Sequence, residues 1–219
     1  MRTHIFGSGN THIYIGIIKG EQSTAEEVCK LAKQLCDTDF ALIAFEADNW
    51  NDDLSPWEAP AVFGNEAFGG NASKTLEKLK NTVIPNVENK LGTPERRFIG
   101  GYSLSGLFAL WCCCESELFD GAASCSGSLW FPKFGEYIEA RPVPNGKFYF
   151  SLGDKEAQTK NKVMSTVEDM TLKIYNRFNE ANSCCRFEFN SGGHFKDCAL
   201  RLAKGTAFLA EQLNQYFPQ

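Results

Sequence analysis

The residues of this chain that offer chemistry begin with a serine in a glycine- and serine-rich segment. Residues 97–110 read R-F-I-G-G-Y-S-L-S-G-L-F-A-L, a short apolar strand pattern followed by an unbroken helical one. Ser103 lies at the junction, with Gly101 two residues before it and Ser105 two residues after it. A tight strand-to-helix turn needs small neighbours, exposes the hydroxyl and points helix N–H groups at a developing negative charge. The spacing therefore predicts a nucleophilic serine in a G-x-S-x-G-like turn, with Ser105 replacing the last glycine.

Such a segment also fits an ordinary turn, so the prediction depends on a base and an acid elsewhere in the chain. A serine becomes nucleophilic at neutral pH when a histidine takes its proton and a carboxylate orients that histidine. His4 and His12 lie near the start of the chain, His12 inside a strand-like run, whereas His194 follows two glycines in G-G-H-F. His194 is therefore the predicted base. Asp154, which ends a strand-like run in S-L-G-D, is the favoured acid, and Glu156 in the same loop is the alternative.

Acyl transfer also requires preorganised N–H groups that stabilise the oxyanion of the tetrahedral intermediate. The backbone N–H of Leu104, directly after the serine, is the first candidate. The second N–H is expected from residues 18–20, the loop after the first core strand, and Lys19 is the candidate residue in that loop. No H-G-G-G-like motif marks that loop.

Tryptophans in two loops are the candidates for substrate contact. Residues 46–70 are rich in Trp, Pro, Asn and Asp, and a loop of about 25 residues inside a compact domain is usually functional. Trp50 and Trp57 lie in this loop, and Trp130 lies in a later one. The alternative is that these side chains simply hold the loops against the core.

The positions of the strands and helices predict how these residues come together. Strand patterns alternate with helical ones six times, which predicts an α/β fold with a mostly parallel sheet of about six or seven strands and helices on both faces. In such sheets, sites form at the carboxyl ends of the strands. The predicted strands are 11–18, 40–45, 98–101, 120–125, 147–152 and 184–189, and the predicted helices are 24–35, 71–91 with a kink or break at Pro85, 104–116, 160–182 and 195–216.

Composition narrows the class of protein. The chain has 219 residues with 43% hydrophobic and 22% charged residues, as expected for one globular domain over residues 1–219. Its net charge of −5, with no Lys or Arg in residues 46–66, argues against nucleic acid and anionic membranes as partners. No run approaches the roughly 20 apolar residues of a membrane span, and no secretory signal is visible. The nine cysteines lack a C-x-x-C pair and are expected to be reduced in the cytoplasm, without a metal.

Several motifs together resemble those of a known family. These are G-Y-S-L-S-G-L-F, S-G-S-L-W-F, S-L-G-D-K-E and G-G-H-F-K-D, with W-N-D-D-L-S-P-W upstream. Over roughly residues 11–215 the sequence resembles the putative esterases of the α/β-hydrolase superfamily, which include esterase D-like and enterochelin esterase-like proteins. The resemblance implies an α/β-hydrolase fold, Ser103 as nucleophile, Asp154 as acid, His194 as base, and no metal or organic cofactor.

We therefore expect a cytoplasmic serine hydrolase that cleaves a small-molecule carboxylic ester through an acyl-enzyme. Only about 21 residues separate Cys125 from Lys147, where related folds insert a lid, so short or compact acyl groups are the expected substrates. An acyltransferase, a thioesterase or a peptidase with the same triad is the first alternative. A non-catalytic binding module on the same fold is the second.

Overall fold

The computed structural model describes residues 1–181 and 183–211, and its elements follow one another as mostly alternating strands and helices. The strands are β1 (Thr3–Phe6), β2 (Thr11–Ile18), β3 (Ala41–Ala47), β4 (Glu58–Ala59), β5 (Phe68–Gly69), β6 (Arg96–Tyr102), β7 (Gly121–Cys125), β8 (Lys147–Gly153) and β9 (Cys184–Asn190). The helices are α1 (Gln22–Leu35), α2 (Trp50–Leu54), α3 (Ala72–Lys78), α4 (Ile84–Leu91), α5 (Leu104–Glu115), α6 (Phe134–Glu139), α7 (Val167–Glu180) and α8 (Cys198–Ala210).

Seven strands form the central sheet in the order β1-β3-β2-β6-β7-β8-β9. β1 pairs antiparallel with β3, and every other neighbouring pair in this sheet is parallel. The mostly parallel sheet predicted from sequence is confirmed, with β1 as an additional edge strand that the sequence patterns did not indicate. Because β2, β6, β7, β8 and β9 run in the same direction, the loops that follow them gather at one edge of the sheet.

The two faces of the sheet bury separate apolar layers. Ile13 and Ile15 of β2 pack with Val28 of α1 and Leu202 of α8 on one face. Tyr14, between those isoleucines, points to the opposite face, which is covered by α3, α4, α5 and α7. Side chains of a strand alternate between faces, so β2 must be apolar at consecutive positions to lie between two helical layers.

Helical structure continues past Pro85 instead of breaking there. A π-helical turn over Leu79–Val83 joins α3 to α4, and Pro85 lies in the first turn of α4. Proline has no N–H to donate to the carbonyl of Asn81 and its ring crowds that carbonyl, and the wider π turn accommodates both effects. α4 ends at Gly92, whose φ of 90° suits glycine, and whose N–H bonds to the carbonyl of Glu88.

The boundaries of the last two predicted helices differ from those in the structure. α7 begins at Val167, after a short 3-10 turn at Met164–Thr166, whereas the sequence pattern placed its start at residue 160. The end predicted for this helix, Asn182, lies outside the described residues. α8 begins at Cys198 rather than at residue 195, and residues 212–216 of the prediction also lie outside them.

The acidic segment 46–70 contains regular structure where none was expected. It holds α2 and the small antiparallel pair β4–β5. The side chain of Asn49 accepts a hydrogen bond from the N–H of Asp52, and the carboxylate of Asp53 accepts from the N–H groups of Asp48 and Asn49. The polar residues that resemble a loop in the sequence are therefore the capping groups of a short helix.

Candidate active site

The turn that carries Ser103 has the backbone strain of a nucleophile elbow. Ser103 adopts φ 58° and ψ −123° directly before α5. A Cβ on Gly101 would lie 2.3 Å from the Oγ of Ser105, so the turn leaves no room for a larger residue there. Ser105 itself is fully buried, and a Cβ on Gly16 of β2 would lie 2.5 Å from its hydroxyl. The serine in place of the usual glycine is thus accommodated by a glycine on the neighbouring strand.

The structure places Ser103, His194 and Glu156 in a connected series. His194 Nε2 lies 3.1 Å from Ser103 Oγ, and His194 Nδ1 lies 2.7 Å from Glu156 Oε2. The imidazole is partly exposed, with 24% of the side chain accessible, whereas the carboxylate is 3% exposed. A histidine that donates Nδ1–H to a buried carboxylate presents Nε2 as a proton acceptor to the serine hydroxyl.

The structure corrects the expectation that Asp154 orients His194. Asp154 Oδ1 accepts a hydrogen bond from the N–H of Gly192 at 2.7 Å and so holds the loop that precedes the histidine. The N–H of Glu156 bonds to the carbonyl of Gly153, which turns the chain back over the end of β8. The longer side chain of Glu156 then reaches the imidazole, the alternative that the sequence left open.

Glu156 is held by four donors. Oε1 accepts from the hydroxyl of Ser126 at 2.6 Å, the N–H of Gly153 at 2.6 Å and Nη1 of Arg201 at 2.9 Å, and Oε2 faces His194. Burial acts to raise the pKa of Glu156, but hydrogen bonds from His194, Ser126 and Gly153 outweigh it and leave the pKa below its ordinary value. The carboxylate is therefore ionised at neutral pH.

The two predicted oxyanion residues lie at the ends of neighbouring strands. Leu104 is the first residue of α5, where a backbone N–H has no acceptor within the helix. Lys19 lies in the turn after β2, and its ammonium forms an exposed ion pair with Asp48 at 3.6 Å. Any contribution of Lys19 to the oxyanion hole would therefore come from its backbone, and it stays a prediction.

A second hydroxyl lies beside the nucleophile and was missed at the sequence level. Ser128 Oγ is 3.4 Å from Ser103 Oγ, and the N–H of Ser128 donates to the carbonyl of Ser103. The signal was the motif S-G-S-L-W-F, whose serines could not be distinguished from those of an ordinary loop. Ser126 of the same motif contacts Glu156, so this segment contacts both the serine and the carboxylate of the Ser103–His194–Glu156 series.

The three tryptophans that were predicted to contact substrate are packed against other parts of the protein. Trp57 donates from Nε1 to the carbonyl of Pro132 at 2.9 Å, and Trp130 is 8% exposed. Trp50, at the start of α2, packs against the buried core. These contacts favour the role of holding segment 46–70 against the residues after β7. The rings that surround Trp57 and Trp130, here called the aromatic cluster, are those of Phe68, Phe131, Phe134 and Tyr137.

One apolar side chain at the site remains uncovered. Phe195 is 91% exposed, and its ring stands perpendicular to that of His194 at 5.1 Å between centroids. Its position directly after the histidine in G-G-H-F was visible in the sequence, but its exposure was not. It offers an apolar surface to a substrate group that approaches the imidazole.

The cysteines of the described residues lie outside the Ser103–His194–Glu156 series. All nine cysteines have free thiols. Cys112 and Cys113 are buried in α5, where burial raises the pKa of both thiols and disfavours the thiolate. Within residues 1–181 and 183–211, no three His, Cys, Asp or Glu side chains are grouped to hold a metal ion. The same residues include no helix with the length and hydropathy needed to cross a bilayer.

The mostly parallel seven-stranded sheet, with a serine at the elbow between β6 and α5, defines an α/β-hydrolase fold. The chain belongs to the family described as "Putative esterase", whose model matches residues 21–196. The fold class and the family predicted from sequence are thereby confirmed, and the protein is a carboxylic-ester hydrolase.

Solved structures of several hydrolases share this fold. The siderophore hydrolase EstA from Aspergillus nidulans is 19% identical with a TM-score of 0.70, and the match covers 93% of this chain and 83% of that one. The IroE-like serine hydrolase from Shewanella oneidensis is 16% identical with a TM-score of 0.76, covering 94% and 74%. The enterobactin esterase FES from Shigella flexneri is 15% identical with a TM-score of 0.70, covering 94% and 54%. Comparison with curated protein sequences gives no match.

Proposed function

We propose that this ester hydrolase acts through a Ser103–His194–Glu156 triad. The observation that carries the proposal is the pair of hydrogen bonds on the two nitrogens of one imidazole, at 3.1 Å to the serine and 2.7 Å to the glutamate. The strained elbow and the buried, ionised carboxylate support the same assignment. Asp154 is a support of the histidine loop in this proposal.

The reaction proceeds in two acyl-transfer steps. Ser103 Oγ attacks the ester carbonyl while His194 Nε2 takes its proton, and the oxyanion is stabilised by the N–H of Leu104 and a second N–H from the turn at Lys19. The tetrahedral intermediate collapses when His194 gives that proton to the leaving alcohol. Water, activated by the same nitrogen, then attacks the acyl-enzyme and releases the acid together with the free serine. Glu156 stays ionised and stabilises the imidazolium in both steps.

Short or compact acyl groups are the proposed substrates. The segment between β7 and β8 contains α6 as its helix, and its aromatic residues are packed against Trp57. This segment therefore supplies a wall rather than a movable apolar cover. The same triad would serve an acyltransferase, a thioesterase or a peptidase, and adding an alcohol acceptor, a thioester and an amide to the assay separates these reactions. The nine free thiols support the cytoplasm as the compartment.

The decisive test replaces the nucleophile. Ser103→Ala should lower turnover of nitrophenyl acetate by on the order of 10⁴-fold or more and abolish labelling by a fluorophosphonate probe, because it removes the hydroxyl that contacts His194 Nε2. Ser165→Ala removes a hydroxyl that bonds to the carbonyl of Lys162 rather than to a triad residue, and it is the matched control. Labelling that persists in Ser103→Ala would disprove the assignment, and a wild-type protein that neither labels nor turns over any ester would favour a binding module.

A further inference from the structure

Arg201 is a buried charge that takes no part in the two acyl-transfer steps. It lies on α8 and is 1% exposed, the largest fully buried side chain of the described residues. A guanidinium buried this deeply loses its hydration, and a buried ion pair often contributes no more to stability than an apolar pair of the same size. Its position beneath the triad therefore calls for a reason other than stability.

The guanidinium joins four segments that meet under the site. Nη1 donates to Glu156 Oε1 at 2.9 Å, to Ser126 Oγ at 3.2 Å and to the hydroxyl of Tyr102 at 3.2 Å. Nη2 donates to the carbonyls of Ser191 at 3.2 Å and Gly193 at 3.0 Å. One planar group thus holds the acid with one nitrogen and the turn before the histidine with the other.

The glycine of S-L-G-D makes this close approach feasible. A Cβ on Gly153 would lie 2.9 Å from both terminal nitrogens of Arg201 and 2.2 Å from the carbonyl of Gly192. Any side chain at that position would push the guanidinium away from the acid or the histidine loop away from β8. The sequence at the end of β8 is therefore matched to the arginine on α8.

We propose that Arg201 is a positioning residue that fixes the Glu156–His194 pair in its reactive geometry and, through its charge, favours the ionised form of Glu156. The inference rests on the proposed triad. With Oε1 of Glu156 fixed by Arg201, Oε2 is left to face the imidazole. A permanent cation 2.9 Å from Glu156 Oε1 also opposes protonation of that carboxylate.

Tyr102 extends this support to the strand of the nucleophile. Its hydroxyl donates to the carbonyl of His194 at 2.5 Å while it accepts from Arg201. The residue before the nucleophile thus bonds directly to the backbone of the base and also contacts the same arginine. The charged residues next to the pair in the chain are Asp154 and Lys155 after β8 and Lys196 and Asp197 after His194. The thiol of Cys198 in α8 bonds to the carbonyl of His194.

Two substitutions separate the geometric effect from the charge effect. Arg201→Lys keeps the charge but cannot donate in two directions from one plane, so kcat/KM per active site should fall roughly 10-fold with the acidic limb of its pH profile unmoved. Arg201→Met removes both the charge and the hydrogen bonds, so kcat/KM should fall on the order of 10²-fold and the acidic limb should move up by about one pH unit. Active sites are counted by titration with a fluorophosphonate, so misfolded protein does not enter the rates.

Arg97→Met is the matched control. Arg97 forms an ion pair with Glu88 and donates to the carbonyl of Leu118 near the opposite end of β6 from Ser103. Its loss should lower stability while leaving kcat/KM per active site and the pH profile unchanged. Wild-type rates per active site in Arg201→Lys would overturn the inference even if Arg201→Met fails to fold, as would an unmoved acidic limb in a folded Arg201→Met. Inactivity of the wild-type protein would instead refute the proposed triad.

Discussion

At the scale of single residues, the site depends on which carboxylate reaches the histidine. Asp154 is nearer the end of β8, yet its oxygen is taken by the N–H of Gly192. Glu156 lies two residues further on and has one more methylene, so its carboxylate reaches both the imidazole and Arg201. Within one loop, Asp154 thus bonds to the backbone of Gly192, and Glu156 bonds to the imidazole of the base.

This division gives a prediction with an internal comparison. Glu156→Gln should lower kcat by about 10⁴-fold, because an amide that donates towards Nδ1 selects the wrong imidazole tautomer. Asp154→Asn keeps an oxygen that accepts from the N–H of Gly192, so its kcat should fall by less than about 10-fold. Steady-state turnover of nitrophenyl acetate by both purified variants is the measurement. A larger loss in Asp154→Asn would return the role of the acid to Asp154.

The sequence indicated some of these residues and not others for a physical reason. Ser103 and His194 are identified by local motifs, since a tight turn and a glycine-rich loop are recorded in neighbouring residues. Arg201 and Ser128 act through contacts across the fold, from α8 and from the loop after β7. Nothing in their immediate neighbours distinguishes them from an ordinary helix arginine or loop serine, so only the tertiary structure reveals them.

At the scale of elements, the sequence predicts the helices and parallel strands that have long periodic patterns of apolar residues. The short elements α2, β4 and β5 were not predicted from the sequence, because their polar capping and turn residues are also typical of loops. The π turn before Pro85 was not predicted either, because a proline indicates that the regular helix is interrupted but does not indicate which structure interrupts it. These elements matter because segment 46–70 reaches the residues after β7 through Trp57.

Trp57 is predicted to stabilise the fold rather than to bind substrate. Trp57→Ala removes the indole from the aromatic cluster and should lower the free energy of unfolding by about 3 kcal/mol. Trp57→Phe keeps a ring but loses the hydrogen bond to Pro132 and should cost about 1 kcal/mol. Urea titration gives both values. An unchanged free energy with a new order of preference across acetyl, butyryl and benzoyl esters would make Trp57 a substrate contact instead.

At the scale of the whole molecule, one helix connects the core to the chemistry. α8 packs on the same face of the sheet as α1, with Ala203, Ala207 and Phe208 in the buried layer. Arg201 on the same helix lies beneath the site, at the edge where the carboxyl ends of β6, β7, β8 and β9 meet. The apolar face of α8 thus fixes the position of a charged group that the triad depends on.

The openness of that edge leads to the last prediction, which concerns the length of the acyl chain. Burying a methylene contributes roughly 0.8 kcal/mol, but only if the protein encloses the chain. The segment between β7 and β8 adds one short helix, and Trp57 bonds segment 46–70 to Pro132 near its start, so the two segments are anchored to each other. Phe195, 91% exposed, is the apolar surface seen beside the base, and one ring can cover a short acyl group or an aromatic one but not a long chain. We therefore expect kcat/KM for acetyl and butyryl nitrophenyl esters to exceed that for the lauroyl ester, with no jump in rate above the concentration at which the lauroyl ester forms micelles. Ser103→Ala supplies the background rate for each ester, and a clear preference for the lauroyl ester would show that part of the chain closes over the site.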